Sequence, residues 1–98
     1  MSLPVVLRAE AEAEFDEAFD FHETARPGRG VRFANLVRRV FLRIDARPQA
    51  HRVVMANVRR AVVPKFPYCV YYRADATRVE VLAVFHTSRD PSIWQGRV

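Results

Sequence analysis

The stretch Phe85-His86-Thr87-Ser88-Arg89-Asp90-Pro91, followed by Trp94, sets a histidine, two hydroxyls, an arginine and an aspartate at the end of the apolar run Val79-Glu80-Val81-Leu82-Ala83-Val84. A histidine can move a proton and an arginine can stabilise a charged phosphorane. His86 and Arg89 are therefore candidates for phosphodiester cleavage, with Arg73 and Lys65 as further cationic candidates. The plainer reading is a strand end, with His86 satisfied by a backbone carbonyl and Arg89-Asp90-Pro91 forming a turn in which Asp90 caps local N–H groups. His22 and His51 have no neighbouring ligands at metal spacing, so neither a metal nor a cofactor is expected. Cys69, the single cysteine, lies within Tyr68-Cys69-Val70-Tyr71 and reads as a small buried hydrophobe in a reducing compartment.

Charge is more informative when located than when totalled. Residues 1–25 set Arg8 against Glu10, Glu12, Glu14, Asp16, Glu17, Asp20 and Glu23. The rest of the chain is strongly basic, and the net charge is +5. Lys65 is the only lysine among 16 basic residues, which a coding sequence rich in G and C explains; it does not explain the segregation. Such a surface attracts phosphate backbones or an acidic protein. Arg38, Arg39, Arg43, Arg59 and Arg60 suit either partner, and equally a solvated basic face.

The elements that must position these residues follow from periodicity. At 98 residues, half of them apolar, residues 1–98 form a single domain with one core, and a two-domain reading is excluded. Val5-Val6-Leu7 reads as a short strand. Ala11, Phe15, Ala18 and Phe19 fall at helical spacing over about 9–25, with acidic residues in the first turns where the helix dipole favours them. Arg26-Pro27-Gly28-Arg29-Gly30 breaks that helix. The spacing resumes with Phe33, Leu36, Val37, Val40, Phe41 and Ile44 until Pro48, so two antiparallel helices form a hairpin. Phe15, Phe19, Phe33 and Phe41 are expected in the core.

After a linker from Pro48 to Ala56 come three strand-like runs, Val58–Val63, Tyr68–Arg73 and Val79–His86, the last two joined through Ala74-Asp75-Ala76-Thr77. The order β-α-α-β-β-β gives an α+β domain, a helical hairpin packed on one face of a small, mostly antiparallel sheet. Strict alternation along the last strand points Val79, Val81, Ala83 and Phe85 at the helices and leaves Glu80, Leu82, Val84 and His86 on the open face. With Tyr72 opposite Val79, Arg73 shares that face, and Lys65, Arg59 or Arg60 at its rim would complete an anion site. Trp94 reads as a packing anchor or, alternatively, a target contact. No apolar run approaches the ~20 residues that span a bilayer, and no leader precedes Pro4, so the chain is expected in the cytoplasm and away from membranes.

The run from Val58 to Arg73, with Phe66-Pro67-Tyr68 and Tyr71-Tyr72-Arg73, followed by Val84, His86, Ser88-Arg89-Asp90-Pro91 and Trp94, resembles the toxins of the RelE/ParE superfamily of bacterial type II toxin–antitoxin modules. The resemblance covers the whole chain and is closer to the ParE-like branch, which includes many plasmid-stabilisation homologues. It implies a cytoplasmic toxin held in a hetero-oligomer by a cognate antitoxin that wraps its surface. The open sheet face and the helical hairpin, residues 58–86 and 29–47, combine apolar relief with an excess of arginine and are the expected docking surface. In the RelE-like branch, which cleaves ribosome-bound mRNA, the strand starting at Tyr68 opens with an arginine; here Tyr68 stands in its place, and Lys65 is the sole lysine. The ParE-like branch inhibits DNA gyrase without bond chemistry of its own. On that reading Arg89, Trp94, Arg97, Arg59 and Arg60 act as target contacts, and the chain is not an enzyme. The alternatives are an endoribonuclease using His86, Arg89, Arg73 and Lys65, or a non-toxic module that binds nucleic acid through its basic surface.

Overall fold

The computed structural model describes residues 3–98. Strand β1 (Val5–Leu7) leads into helix α1 (Ala9–Ala25), a tight turn and helix α2 (Arg29–Ala46). Strands β2 (Arg52–Met55), β3 (Val58–Val62), β4 (Tyr68–Ala74) and β5 (Val79–His86) follow, and a one-turn helix α3 (Ser92–Gln95) ends the chain. The sheet order is β1-β5-β4-β3-β2, antiparallel except for the parallel β1–β5 pair that the helical hairpin connects. This is the expected α+β architecture with two additions. Strand β2 lies where a linker was expected: Val53, Val54 and Met55 form a short edge strand that turns through Ala56, in left-handed backbone at φ 49°, to pair with β3. Helix α3 comes after the last element foreseen.

The hairpin turn is built by close approach and capping. Gly28 opens α2 at φ 90°, where a side chain would be strained. A Cβ on Gly30 would come within 2.7 Å of the Phe19 carbonyl oxygen and 2.8 Å of the Glu23 Cβ, so only glycine lets the helices pack this closely. Glu23 then reaches across the turn. Its carboxylate accepts hydrogen bonds from the N–H groups of Gly28 (2.9 Å), Gly30 (2.9 Å) and Val31 (3.3 Å), capping the following helix, and those bonds hold it below the usual carboxylate range.

Between helices and sheet the core gathers Phe33, Val37, Val40 and Ile44 of α2 with Ala61, Val70, Tyr72, Val79, Val81 and Val84. Of the four phenylalanines expected there, Phe33 is fully buried, while Phe15, Phe19 and Phe41 are half-buried. The ring that α1 buries, beside Ala11 and Ala18, is His22, against Phe33, Phe66 and Tyr68.

The alternation expected along β5 fails in its middle. Tyr71 pairs with Ala83 but Tyr72 pairs with Val81, so Leu82 is an extra residue on β5. The bulge reverses the phase. Val79 and Val81 face the helices as expected, but so do Val84 and His86. Leu82, Ala83 and Phe85 pack on the other face with Val58 and Trp94. His86 is therefore not on the open face. The hairpin also pairs Ala74, not Tyr72, with Val79. Its turn is held by Asp75, whose Oδ1 accepts from Thr77 N–H (2.7 Å), Thr77 Oγ1 (2.7 Å) and Arg78 N–H (3.0 Å).

Candidate functional site

Strand β1 stops pairing at Leu7, opposite Val81, and the backbone N–H of Arg8 makes the last contact, donating to the Val81 carbonyl. Beyond that point the bulged β5 has backbone groups with no neighbouring strand, and two side chains take the strand's place. Glu14 Oε1 accepts from the Val84 N–H at 3.2 Å, and Arg97 Nη1 donates to the Leu82 carbonyl at 3.0 Å. The same two side chains form a two-pronged ion pair, Arg97 Nη1 to Glu14 Oε1 and Nη2 to Oε2, both at 2.9 Å. Arg89 Nη1 adds a third bond to Glu14 Oε2 at 2.8 Å, and Arg8 Nη1 donates to the Arg97 carbonyl at 2.5 Å. Glu14 and Arg97 are 9% and 12% exposed, so water screens this pair little.

The C-terminal segment is fixed again on the other side of the sheet. Trp94, 4% exposed, lies parallel to Tyr71 at 4.0 Å between ring centroids and 15° between planes. The Arg89 guanidinium sits 4.5 Å from the centroid of Phe85. Asp90 Oδ1 accepts from the Ser92 N–H at 2.9 Å and starts α3, as the turn reading of Arg89-Asp90-Pro91 expects. Sequence reasoning missed Glu14 altogether. It stands among six other acidic residues in the first quarter of the chain and is singled out only by partners 75 and 83 positions away.

The four candidates for cleavage chemistry do not converge. His86 and Arg89 share a shallow concavity of about 160 Å³ with Glu14, Glu17, Phe21 and Tyr68. There Arg89 is engaged by Glu14, and His86 Nδ1 accepts from Ser88 N–H (3.0 Å) and meets Ser88 Oγ (2.8 Å). A ring accepting at Nδ1 carries its N–H on Nε2. Arg73 is elsewhere, paired with Glu80 at 2.9 Å beside the β4–β5 turn. Lys65 lines a third concavity, beside the helical turn. The anion site anticipated on the open face is therefore not assembled, because the β5 bulge turns His86 to the helix side and Glu80 neutralises Arg73.

The remaining candidates are placed as follows. Arg59 donates to the carbonyls of Gln49 (3.1 Å) and His51 (2.7 Å), bracing the segment before β2. Arg60 lies opposite Tyr71, half-buried. Cys69 is buried and burial pushes its thiol up, away from reactivity. Among the described residues no three His, Cys, Asp or Glu side chains form a metal-binding group, and no helix is long and apolar enough to cross a membrane.

Comparison with known families matches residues 5–91 to the ParE toxin of type II toxin–antitoxin systems, parDE. A comparison with curated proteins gives no match. Among solved structures, a chain of the chromosomal ParDE TA system from P. aeruginosa superposes with a TM-score of 0.77 at 14% identity, covering 89% of this chain and 98% of that one. At that identity the likeness is one of fold.

Proposed function

The chain belongs to the ParE toxin family of type II toxin–antitoxin systems, and from that premise we propose that it works in the cytoplasm by binding and poisoning DNA gyrase until a cognate antitoxin covers it. One observation carries the choice of contact over catalysis. The groups a nuclease would need are divided among three separate concavities, and the arginine nearest His86 is neutralised by Glu14. A toxin that acts by contact needs a rigid protruding surface instead. The segment after β5 supplies one: Trp94 and Arg97 anchor it from inside, leaving Ile93 and Val98 more than two-fifths exposed, and Arg89, also partly exposed, lies earlier in the same segment. On this reading Trp94 and Arg97 shape the contact surface and Arg89 and Ile93 touch the target. The antitoxin covers the hairpin, where Leu42 is 67% exposed, and its acidic groups are drawn to the exposed Arg38 and Arg43 of α2.

The test compares gyrase supercoiling, with accumulation of cleaved DNA, against cleavage of ribosome-bound message. Wild type and His86→Ala are expected to inhibit gyrase equally. Ile93→Glu, a surface change that leaves melting unaltered, should lose inhibition. Message cleavage that disappears in His86→Ala, with gyrase unaffected, would reverse the reading in favour of a ribosome-dependent endoribonuclease.

A further inference from the structure

Beside the turn between α1 and α2 lies a concavity of about 380 Å³ whose lining includes Arg26, Arg29, Arg32 and Lys65. A second, of about 370 Å³, shares Arg32 and Lys65 with it and adds Arg39. No carboxylate lines either, and among the described residues none of these five cations makes an ion pair. We propose that these residues form a site for the backbone of duplex DNA, seating consecutive phosphates of one strand.

Several independent features point to phosphate. Glu23, the acidic residue at the turn, bonds the N–H groups of Gly28, Gly30 and Val31, so it builds the turn instead of neutralising the arginines. Lys65 has a left-handed backbone at φ 67°, a conformation unfavourable for a lysine and kept only where the surrounding structure enforces it. That loop places the chain's single lysine among the arginines. Buried Phe66 forms the floor, with the Arg29 guanidinium 5.7 Å from its ring centroid, which restricts the arginine before any ligand arrives.

Shape and polarity select among anions. The first concavity offers only Pro27 and buried Phe66 as apolar side chains and the second adds only Val31 and Leu36, too little to anchor a peptide beside five cations, whereas concentrated charge suits phosphate. Arg29, Arg32 and Arg39 fall within about 80° around α2 and extend about 15 Å along it. The inference is independent of the gyrase reading, because the chain by itself is expected to hold DNA.

The experiment measures fluorescence anisotropy of a labelled duplex DNA titrated with the purified chain, with no gyrase present, over about 50 to 200 mM salt. With four to five phosphates engaged, log affinity should fall against log salt with a slope near −4. Replacing Arg29, Arg32 and Lys65 together by alanine should weaken binding at least about tenfold and reduce the slope by about 3. Arg38→Ala/Arg52→Ala/Arg78→Ala, with the same change in charge, should stay within about threefold of wild type. Equal losses in both variants would reduce the effect to net charge and overturn the site. Displacement of the duplex by a glutamate oligomer as readily as by unlabelled DNA of equal charge would also overturn it, assigning the surface to an acidic protein. A measurement on the unaltered chain guards against misfolded variants: duplex DNA should slow amide exchange across residues 26–39 and at Lys65, and protection only elsewhere defeats the proposal. Failure here leaves the gyrase assays standing, since they contain their own readout.

Discussion

Two groups of arginines in this molecule meet opposite fates. Where the bulged end of β5 outruns β1, Arg89 and Arg97 converge on Glu14 and on the Leu82 carbonyl, and every charge has a partner. Beside the helical turn, Arg26, Arg29 and Arg32 stand with Lys65 around an open concavity, and among the described residues none of them makes an ion pair. The residue type is the same, but the first group completes a sheet, with only Arg89 keeping an exposed edge, and the second is left wholly for something outside the chain. A count of arginines cannot tell these apart. The position of a single carboxylate can: Glu14 points into its cluster, whereas Glu23 turns toward the backbone of the turn.

The comparison is broken most forcefully at Glu14. Glu14→Ala should destabilise the fold by about 3–5 kcal/mol, because it leaves the nearly buried Arg97 without its counter-charge and the Val84 N–H without an acceptor. Urea unfolding measures this, and a loss below about 1 kcal/mol, the size of an exposed ion pair, would mean that the cluster is solvated after all.

A second test uses pH to separate burial from charge. Burial lowers the pKa of His22, with the positive charge of Arg29 adding to the effect, and burial likewise lowers that of His51. The unfolded chain therefore binds these protons more tightly than the native one. Their stabilising contribution is complete above the unfolded value of about 6.5 and is lost as pH falls through the lower native values. Melting temperature should drop on mild acidification, before the carboxylates titrate. His22→Phe should flatten that drop, and an unchanged profile would show that His22 is not buried neutral. The smallest effect belongs to the open cluster: Arg29→Ala/Arg32→Ala/Lys65→Ala should change stability by no more than about 0.5 kcal/mol per site, since among the described residues no ion pair is lost and the Arg29 contact with the Phe66 ring is a weak surface one. A large loss would place these cations in the first group.

Much of the architecture was legible because it is written in local periodicity. The 3.6-residue spacing of Phe33, Val37, Val40 and Ile44 located α2 and its buried face, and Arg26-Pro27-Gly28 marked the turn. Strand β2 was missed because four residues with two valines between His51 and Asn57 carry little pattern, and pairing with β3 is what makes them a strand. Helix α3 was missed because four residues are one turn, too short for a period, and Trp94 on Tyr71 holds it in place. The site candidates fared according to the same rule. Asp90 was readable as a turn cap because its partner is two residues away, while the face occupied by His86 was assigned wrongly.

By itself, then, the sequence determined the element order, the helical hairpin, the acidic first helix and the family pattern running from Phe66 to Trp94. Only the tertiary structure decided which face His86 occupies, which arginines are neutralised and which remain free. The reason is that alternation predicts a face only while strand pairing stays in step. One extra residue, Leu82, breaks that step where β1 ends, and the backbone groups left over select Glu14 and Arg97 from far apart in the chain. Contacts across 70 or more positions leave no mark on local spacing.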